Sequence, residues 1–547
     1  MLPDNCCIVI PAIKKNTAFT NDLVKKLAGV SLLQRAINKA KLLACPSNIL
    51  VLTDSEEITT ICKRNMIRCY YDRVLRLSIQ NSFEETSTLI GSLISNFVHV
   101  LFMSAYNPLL GAQEIENAFH SYLSSDSDIL IAVYKEPNRV FYATNCNLIE
   151  VKHRKNRDII VESRSFQIIK FSHLGSDWAS PDIKVCYHIL KNRDTEIDSY
   201  HDWWGCERRL GRKRIIFTTI GNQKIGMGHV YRSLSLAREF TEHEILFVGD
   251  ERNSQSTNNM IGYEYIYTVH NSAKITDHIL SLSPHLVIND ILDTDAPYIQ
   301  ALRNNGISVV NFEDLGSGAP FANVTINELY DTPLISGENI FWGHNYFFLR
   351  DEFYNAKQVD FTSKVDSVLL TFGASDPNDY TRKILQLIHP FCQRCGIRIL
   401  VVIGSGYNFK NELNNEIKLI YPDVECFTGT SAISSIMERS QVAVCSNGRT
   451  LYELAQMNIP ALVLSHNSRE NSHSFVDVAE GFINLGIIDG SKTKETILSS
   501  FKRLVTDIEL RRSCHQCLSR FDFVSNKLKI VNIIEDVLSK VLISTCP

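Results

Sequence analysis

A glycine turn between a buried strand and a helix sets the strongest limit on how this chain can fold. Arg214-Ile215-Ile216-Phe217-Thr218-Thr219-Ile220 is an apolar run of strand length. Ser233-Leu234-Ser235-Leu236-Ala237-Arg238-Glu239-Phe240 has the spacing of a helix. Between them lies Ile225-Gly226-Met227-Gly228-His229-Val230-Tyr231-Arg232. Gly226 and Gly228 let the backbone approach a ligand, and a helix N-terminus offers N–H groups to an anion. His229 would feel the positive end of the helix, which favours a neutral imidazole able to take a proton from water or a hydroxyl. The same residues also suit a tight turn with a capping histidine.

The strand-to-helix alternation recurs along the chain. Residues 7–12, 48–54, 98–103 and 128–133 read as strands, and residues 30–43 carry a helical apolar stripe. Further strands are expected at 244–250, 285–290, 307–314 and 324–327; a second doubly wound unit opens at 366–377, with strands at 397–406, which has a glycine-rich end, 442–445 and 460–464. This is an α/β pattern of mostly parallel sheets covered by helices, with ligands at the carboxyl ends of strands. Several strand tips end in Asn or Asp, among them Asn289, Asp290, Asp314 and Asn327. These tips can bind sugar hydroxyls or cap the next helix. Ser446-Asn447-Gly448-Arg449-Thr450 feeds a helix bearing Glu453, a design that cradles phosphate on a helix start. Glu453 is placed to accept ribose hydroxyls. Gly373, after the strand at 366–372, allows close approach of a ligand.

With 547 residues the chain has room for roughly three to four domains. Boundaries are expected at 1–208, 213–355 and 356–547, with the basic run Arg208-Arg209-Leu210-Gly211-Arg212-Lys213-Arg214 as a solvated linker. A net charge of -4 argues against a nucleic-acid partner. No apolar run nears the ~18 residues of a membrane span, and the start lacks a basic signal-like region. A cytoplasmic protein without a membrane partner is the expectation. The 15 cysteines suit reduced thiols. Cys392/Cys395 and Cys514/Cys517 fall in helix-like segments and read as buried free cysteines, since a zinc site would need all four to converge.

Two resemblances add to this reading. Ile10-Pro11-Ala12, Lys25-Lys26-Leu27-Ala28-Gly29, Leu52-Thr53-Asp54-Ser55-Glu56-Glu57-Ile58 and Asn107-Pro108-Leu109 resemble the cytidylyltransferases that activate sialic acid and related sugar acids as CMP esters. The resemblance implies a Rossmann-like nucleotidyltransferase domain using CTP and a sugar acid, with possible homo-oligomers through this domain. It places Pro11, Ala12, Lys14, Lys15 and Lys25 at the nucleotide, and Glu196 and Asp198 on a magnesium ion. The family's paired glycines and arginine in the nucleotide loop are replaced here by Ile13-Lys14-Lys15-Asn16-Thr17-Ala18.

Over residues 213–490 the motifs, in order, resemble the UDP-sugar hydrolase of pseudaminic acid biosynthesis. They are the Gly-Met-Gly-His turn, Asn311-Phe312-Glu313-Asp314, Asn327, Gly343-His344-Asn345-Tyr346-Phe347-Phe348-Leu349-Arg350, Thr371-Phe372-Gly373-Ala374-Ser375-Asp376-Pro377 and Ser446-Asn447-Gly448-Arg449-Thr450. The resemblance implies a glycosyltransferase B module of two Rossmann domains that releases UDP from an amino sugar without a metal. His229 would activate water. Gly226, Gly228, Arg232, Gly373, Asn447, Gly448, Arg449, Thr450 and Glu453 would hold the nucleotide, and Asn289, Asp290, Asp314, Asn327 and Asn471 the sugar. The expectation is a bifunctional enzyme of acidic-sugar synthesis. A glycosyltransferase with a non-catalytic N-terminal domain is the rival.

Overall fold

The structure, a computed structural model, describes residues 1–14, 21–75, 89–136, 140–143, 148–150, 159–176, 180–191, 196–222, 225–404, 406–430, 432–488 and 494–540. It divides into two compact units, Met1–Arg212 and Lys213–Pro547.

The first unit is built on strands β1 (Cys6–Pro11), β2 (Ile49–Thr53), β3 (Arg68–Tyr71), β4 (His99–Met103), β5 (Ile129–Lys135), β6 (Ile160–Lys170) and β7 (Val185–Ile189). They lie in the order β7-β5-β6-β4-β1-β2-β3. β6 pairs antiparallel with β4 and β5, and the other pairings are parallel. Helix α1 (Leu32–Leu43) starts where Ser31 Oγ accepts the Gln34 N–H. Its stripe of Leu33, Ala36, Ile37 and Ala40 packs in one cluster with Ile8, Ile10 and Val51 of the central strands. Helix α2 (Tyr200–Leu210) closes the unit, with Ser199 as its cap. The basic run is therefore not all linker: Arg208 and Arg209 occupy the last turn of α2, where cations oppose the negative helix end.

The second unit contains two doubly wound sheets. The first comprises β8 (Arg214–Thr219), β9 (Glu244–Asp250), β10 (Ile266–His270), β11 (Leu286–Asp290), β12 (Ser308–Phe312), β13 (Val324–Asn327) and β14 (Ile340–Trp342). Its order is β10-β9-β8-β11-β12-β13-β14, all parallel. The second comprises β15 (Ser367–Thr371), β16 (Arg398–Ile403), β17 (Glu425–Thr428), β18 (Val442–Ser446), β19 (Ala461–Ser465) and β20 (Phe482–Ile487). Its order is β17-β16-β15-β18-β19-β20, again all parallel. In each sheet the winding reverses between the first strand and the fourth. A crevice opens at such a reversal because the loops leaving the two strands diverge to opposite faces. In the second sheet the crevice is tightly drawn: a Cβ on Gly404 would lie 2.3 Å from the backbone of Ala374.

Helix α3 (Gly228–Ala237) follows β8, α4 (Tyr380–Cys395) follows β15, and α5 (Thr450–Gln456) follows β18. Helix α6 (Asn526–Lys540) departs from the expected 356–547 boundary. Its Ile530, Ile534, Val537 and Leu538 join the core of the first sheet beside Ile215, Phe217, Phe247 and Val310. The chain thus returns to the first half after completing the second. In the other direction, Tyr330 and Phe347 pack into the core of the second half. Phe347 stacks on Tyr452 at 3.9 Å and Tyr452 on Phe475 at 4.1 Å. Cys392, Cys395, Cys514 and Cys517 are free thiols, Cys392 and Cys514 buried. Among the described residues no helix is long and apolar enough to cross a membrane.

Because Ile534 is fully buried against the first sheet, Ile534→Ala should destabilise the second unit by about 2–5 kcal/mol. Urea unfolding followed by tryptophan fluorescence measures this; a change under about 0.5 kcal/mol, typical of a surface site, would place α6 off the core.

Candidate active site

Both reversal points of the second unit open onto one cleft of about 380 Å³. From the first sheet it is lined by Gly226, Gly228, His229 and Arg232 of the turn after β8, and by Glu313 at the tip of β12. From the second sheet come Gly373 and Ser375 after β15, Gly448, Arg449, Thr450 and Glu453 after β18, and His466, Arg469 and His473 after β19. Gly226 has φ +88°, a conformation that disfavours a side chain. A Cβ on Gly228 would sit 3.4 Å from Arg449 Cδ across the cleft, so the second glycine serves the close approach of the two walls.

His229 is 6% exposed. Its Nδ1 lies 2.6 Å from Asp290 Oδ1 at the tip of β11. A carboxylate only accepts, so Nδ1 carries the proton, and the neighbouring Arg232 Nη2 at 3.1 Å is a contact rather than a donor to that nitrogen. Nε2 has no protein partner among the described residues and is left to accept from whatever enters the cleft. The helix start predicted a neutral ring; the structure adds a carboxylate that fixes its tautomer and orientation.

The floor beneath His229 is a buried charge network. Arg232 donates to Asp290 through Nε at 2.7 Å and also through Nη2, pairs with Glu328 through Nη1, and reaches Glu313 Oε2 at 3.3 Å. Burial opposes its charge, and Asp290 and Glu328 overcome that, raising its pKa well above the ordinary value. Burial alone would raise the Asp290 carboxyl; Arg232 and His229 outweigh it and hold the group far below the usual carboxylate range. Glu313 is likewise lowered against its burial by His229 and Arg232. Glu328 Oε1 also accepts from Arg449 at 2.8 Å, and the Arg449 guanidinium sits 4.4 Å over the Phe347 ring. Arg469 donates to both oxygens of Asp293 at 2.9 and 3.0 Å and to the Glu313 carbonyl at 2.7 Å. Glu453 accepts from Arg350 Nε at 2.9 Å.

Some expected sugar contacts lie elsewhere. Asn289 is buried behind the tip of β11, bonded to Thr218, Asn311 and Tyr298. Asp314 is fully buried and accepts from Thr294, Asn311 and the Gly316 N–H, which fixes a loop. Asn327 donates to the Asp314 carbonyl. Asn471 is exposed and does not line the cleft. Asn447 acts one layer back: its amide holds the Glu470 and His473 carbonyls at 2.9 and 3.1 Å. Glu313, Glu328, Arg350, Arg469, His466 and His473 line or support the cleft without being among the residues expected there. A charged residue directly after a buried strand, as in Glu313 and Glu328, was the available signal for two of them.

In the first unit, Pro11 ends β1 and Ala12 is buried beside it. The Lys14 ammonium pairs with Glu57 at 2.6 Å while its N–H bonds Asp54 at 2.7 Å. Lys25 donates to Tyr200 Oη at 2.6 Å. Lys15 falls outside the described residues. Glu196 is paired with Arg164 at 2.9 Å. Asp198 is exposed, and its carboxyl is raised chiefly by a hydrogen bond shared with Asp202. Among the described residues no three His, Cys, Asp or Glu side chains converge as a metal site.

No protein-family profile matches the chain. An uncharacterized protein of Methanocaldococcus jannaschii is 28% identical over 278 residues, 46% of this chain and 56% of that protein. The match therefore spans little more than half of that relative. Spore coat polysaccharide biosynthesis protein SpsG of Bacillus subtilis is 24% identical over 313 residues, 55% of this chain and 91% of SpsG. Among solved structures, Acinetobacter baumannii MurG aligns with 59% of this chain and 99% of its own, at TM-score 0.42 and 14% identity. CMP:2-keto-3-deoxy-manno-octonic acid synthetase complexed with CTP aligns with 38% of this chain and 98% of its own, at TM-score 0.29 and 10% identity.

Glu328→Gln should leave Arg232 and Arg449 under-compensated in the cleft floor, at a cost of about 3–5 kcal/mol. Urea unfolding at pH 7 checks this; a loss under about 1 kcal/mol, the range of an exposed pair, would mean solvent screens the network.

Proposed function

We propose that the second unit hydrolyses a nucleoside-diphosphate amino sugar of the UDP class, with water as acceptor. The observation that carries this reading is the His229 Nδ1–Asp290 hydrogen bond of 2.6 Å at one reversal point, facing the loop of Gly448, Arg449 and Thr450 at the other. Water attacks the anomeric carbon and gives its proton to His229 Nε2. The bond from that carbon to the β-phosphate oxygen breaks, and UDP leaves with the electron pair. Asp290 supports the imidazolium formed. Arg449 and the N–H groups beginning α5 face the charge that develops on the diphosphate. In this reading Glu453 accepts the ribose hydroxyls, and the reaction is written without a metal ion. SpsG is named for polysaccharide biosynthesis, in keeping with a sugar substrate.

For the first unit we propose transfer of CMP from CTP to a sugar acid, with magnesium. Glu196 and Asp198 would hold that ion, two carboxylates of the kind a hard cation takes, with Asp202 near enough to raise the Asp198 carboxyl. Glu196 would reach it only by leaving Arg164. When bound, the ion would neutralise triphosphate charge.

His229→Ala should cut UDP release from UDP-amino sugars by about 10²–10⁴-fold and leave UDP affinity within about threefold, well under one hydrogen bond's worth. Product analysis without an added acceptor decides the reading: sugar appearing only on an added hydroxyl compound would assign a glycosyltransferase. For the first unit, pyrophosphate release from CTP, magnesium and N-acetylneuraminic acid should fall at least about tenfold in Asp198→Asn. No pyrophosphate across a series of sugar acids would retire that activity.

A further inference from the structure

Where the two walls of the cleft meet, one carboxylate oxygen faces two nitrogens without bonding to either. Glu313 Oε1 stands 3.8 Å from Arg469 Nε and 4.0 Å from His473 Nε2. Both distances exceed a hydrogen bond. Their neighbours account for every other polar atom of the three side chains. Glu313 Oε2 takes Arg232 at 3.3 Å. Arg469 spends Nη1 on Asp293 and Nη2 on the Glu313 carbonyl. His473 donates from Nδ1 to the Asn447 carbonyl at 2.8 Å, so in the neutral ring Nε2 is an acceptor. Arg469 Nε and His473 Nε2 are buried and have no hydrogen-bond partner among the described residues. His473 is 8% exposed and Glu313 6%. Glu313 is held in the left-handed region at φ +53°, an unfavourable backbone for its residue type that aims the carboxylate into the cleft.

We propose that this triangle is a subsite for one sugar hydroxyl. It deepens the nucleotide-sugar reading and rests on it. Separations of 3.8 and 4.0 Å suit an oxygen seated to one side, about 2.8 Å from Glu313 Oε1 and from a facing nitrogen. A hydroxyl donates one proton, to Glu313 Oε1 or His473 Nε2, and accepts from Arg469 Nε. An ammonium offers nothing to the Arg469 donor. A carboxylate is repelled by Glu313. Of these three groups only the hydroxyl meets the Arg469 donor and one of the two acceptors at once. The subsite lies beside His229, whose Nδ1 is 3.9 Å from Glu313 Oε2, so the hydroxyl it holds orients the ring next to the base.

Titration calorimetry of the full chain with UDP and with UDP-N-acetylglucosamine tests this. His473→Phe, which keeps an aromatic ring against Tyr330, should leave UDP affinity within about threefold. It should remove about tenfold of the extra affinity that the sugar provides, one hydrogen bond's worth. On the wild-type protein, one analogue in a monodeoxy series should bind about tenfold more weakly, and His473→Phe should not distinguish it from the parent. Equal losses for UDP and the sugar nucleotide, no gain from the sugar in the wild type, or a deoxy series binding like the parent would overturn the subsite. Sugar binding without cleavage would sink the hydrolase reading and leave the subsite standing.

Discussion

A guanidinium removed from water has to be neutralised where it stands, and the second unit is arranged around that requirement at Arg232. It is 2% exposed, and the carboxylates of Asp290, Glu328 and Glu313 surround it. Each arrives from the tip of a different strand or the loop beyond it. The arginine sits one helical turn after His229 on α3, so the group that gathers these carboxylates also brings Asp290 against His229 Nδ1. Charge compensation and tautomer selection are the same packing event. A buried network of this kind contributes little net stability over an apolar core, but losing one member leaves an uncompensated charge, which holds the geometry to a single arrangement.

The cleft follows from topology. Two parallel sheets wound in the same order each leave a crevice where the winding reverses, and the chain joins them so that both crevices open onto one volume. Exchange of segments keeps the halves in place: α6 completes the core of the first sheet, while Tyr330 and Phe347 enter that of the second. Arg449 and Arg469, from two loops of the second sheet, close the contact by pairing with Glu328 and Asp293 of the first. The same two loops carry the groups facing His229. Any hinge motion between the halves would therefore alter the site itself.

The central strands were legible because they are buried on both faces and read as unbroken apolar runs: β1, β2, β4, β8, β11, β15, β18 and β19 were each found within a residue or two. The edge strands β3, β7, β10, β14, β17 and β20 were not, nor was β6, an antiparallel strand inside the first sheet. They are partly exposed and carry polar or charged residues, as in Arg68-Cys69-Tyr70-Tyr71 and Glu425-Cys426-Phe427-Thr428, which dilute the apolar pattern. The basic run at 208–214 looked like a linker for a related reason. A helix end rich in arginine and a solvated connector have the same composition, and the cap at Ser199 that separates them is a matter of geometry.

Sequence alone determined the α/β alternation, the two glycines that let a backbone turn closely at 226 and 228, the histidine that follows them, and the loop of Gly448, Arg449 and Thr450. These are local properties: strand runs, helix starts and conformational freedom are set by neighbours along the chain. What tertiary structure decided was which polar strand tips face the cleft. Asn289, Asp314 and Asn327 look from the sequence like Asp290 and Glu313, yet the first three bond other strand tips or nearby loops away from the cleft, while Glu313 lines it and Asp290 lies beneath His229, both meeting Arg232. A side chain's hydrogen-bonding capacity is written in its residue type. Whether another part of the protein has already used it depends on strands tens of residues away that the fold brings alongside.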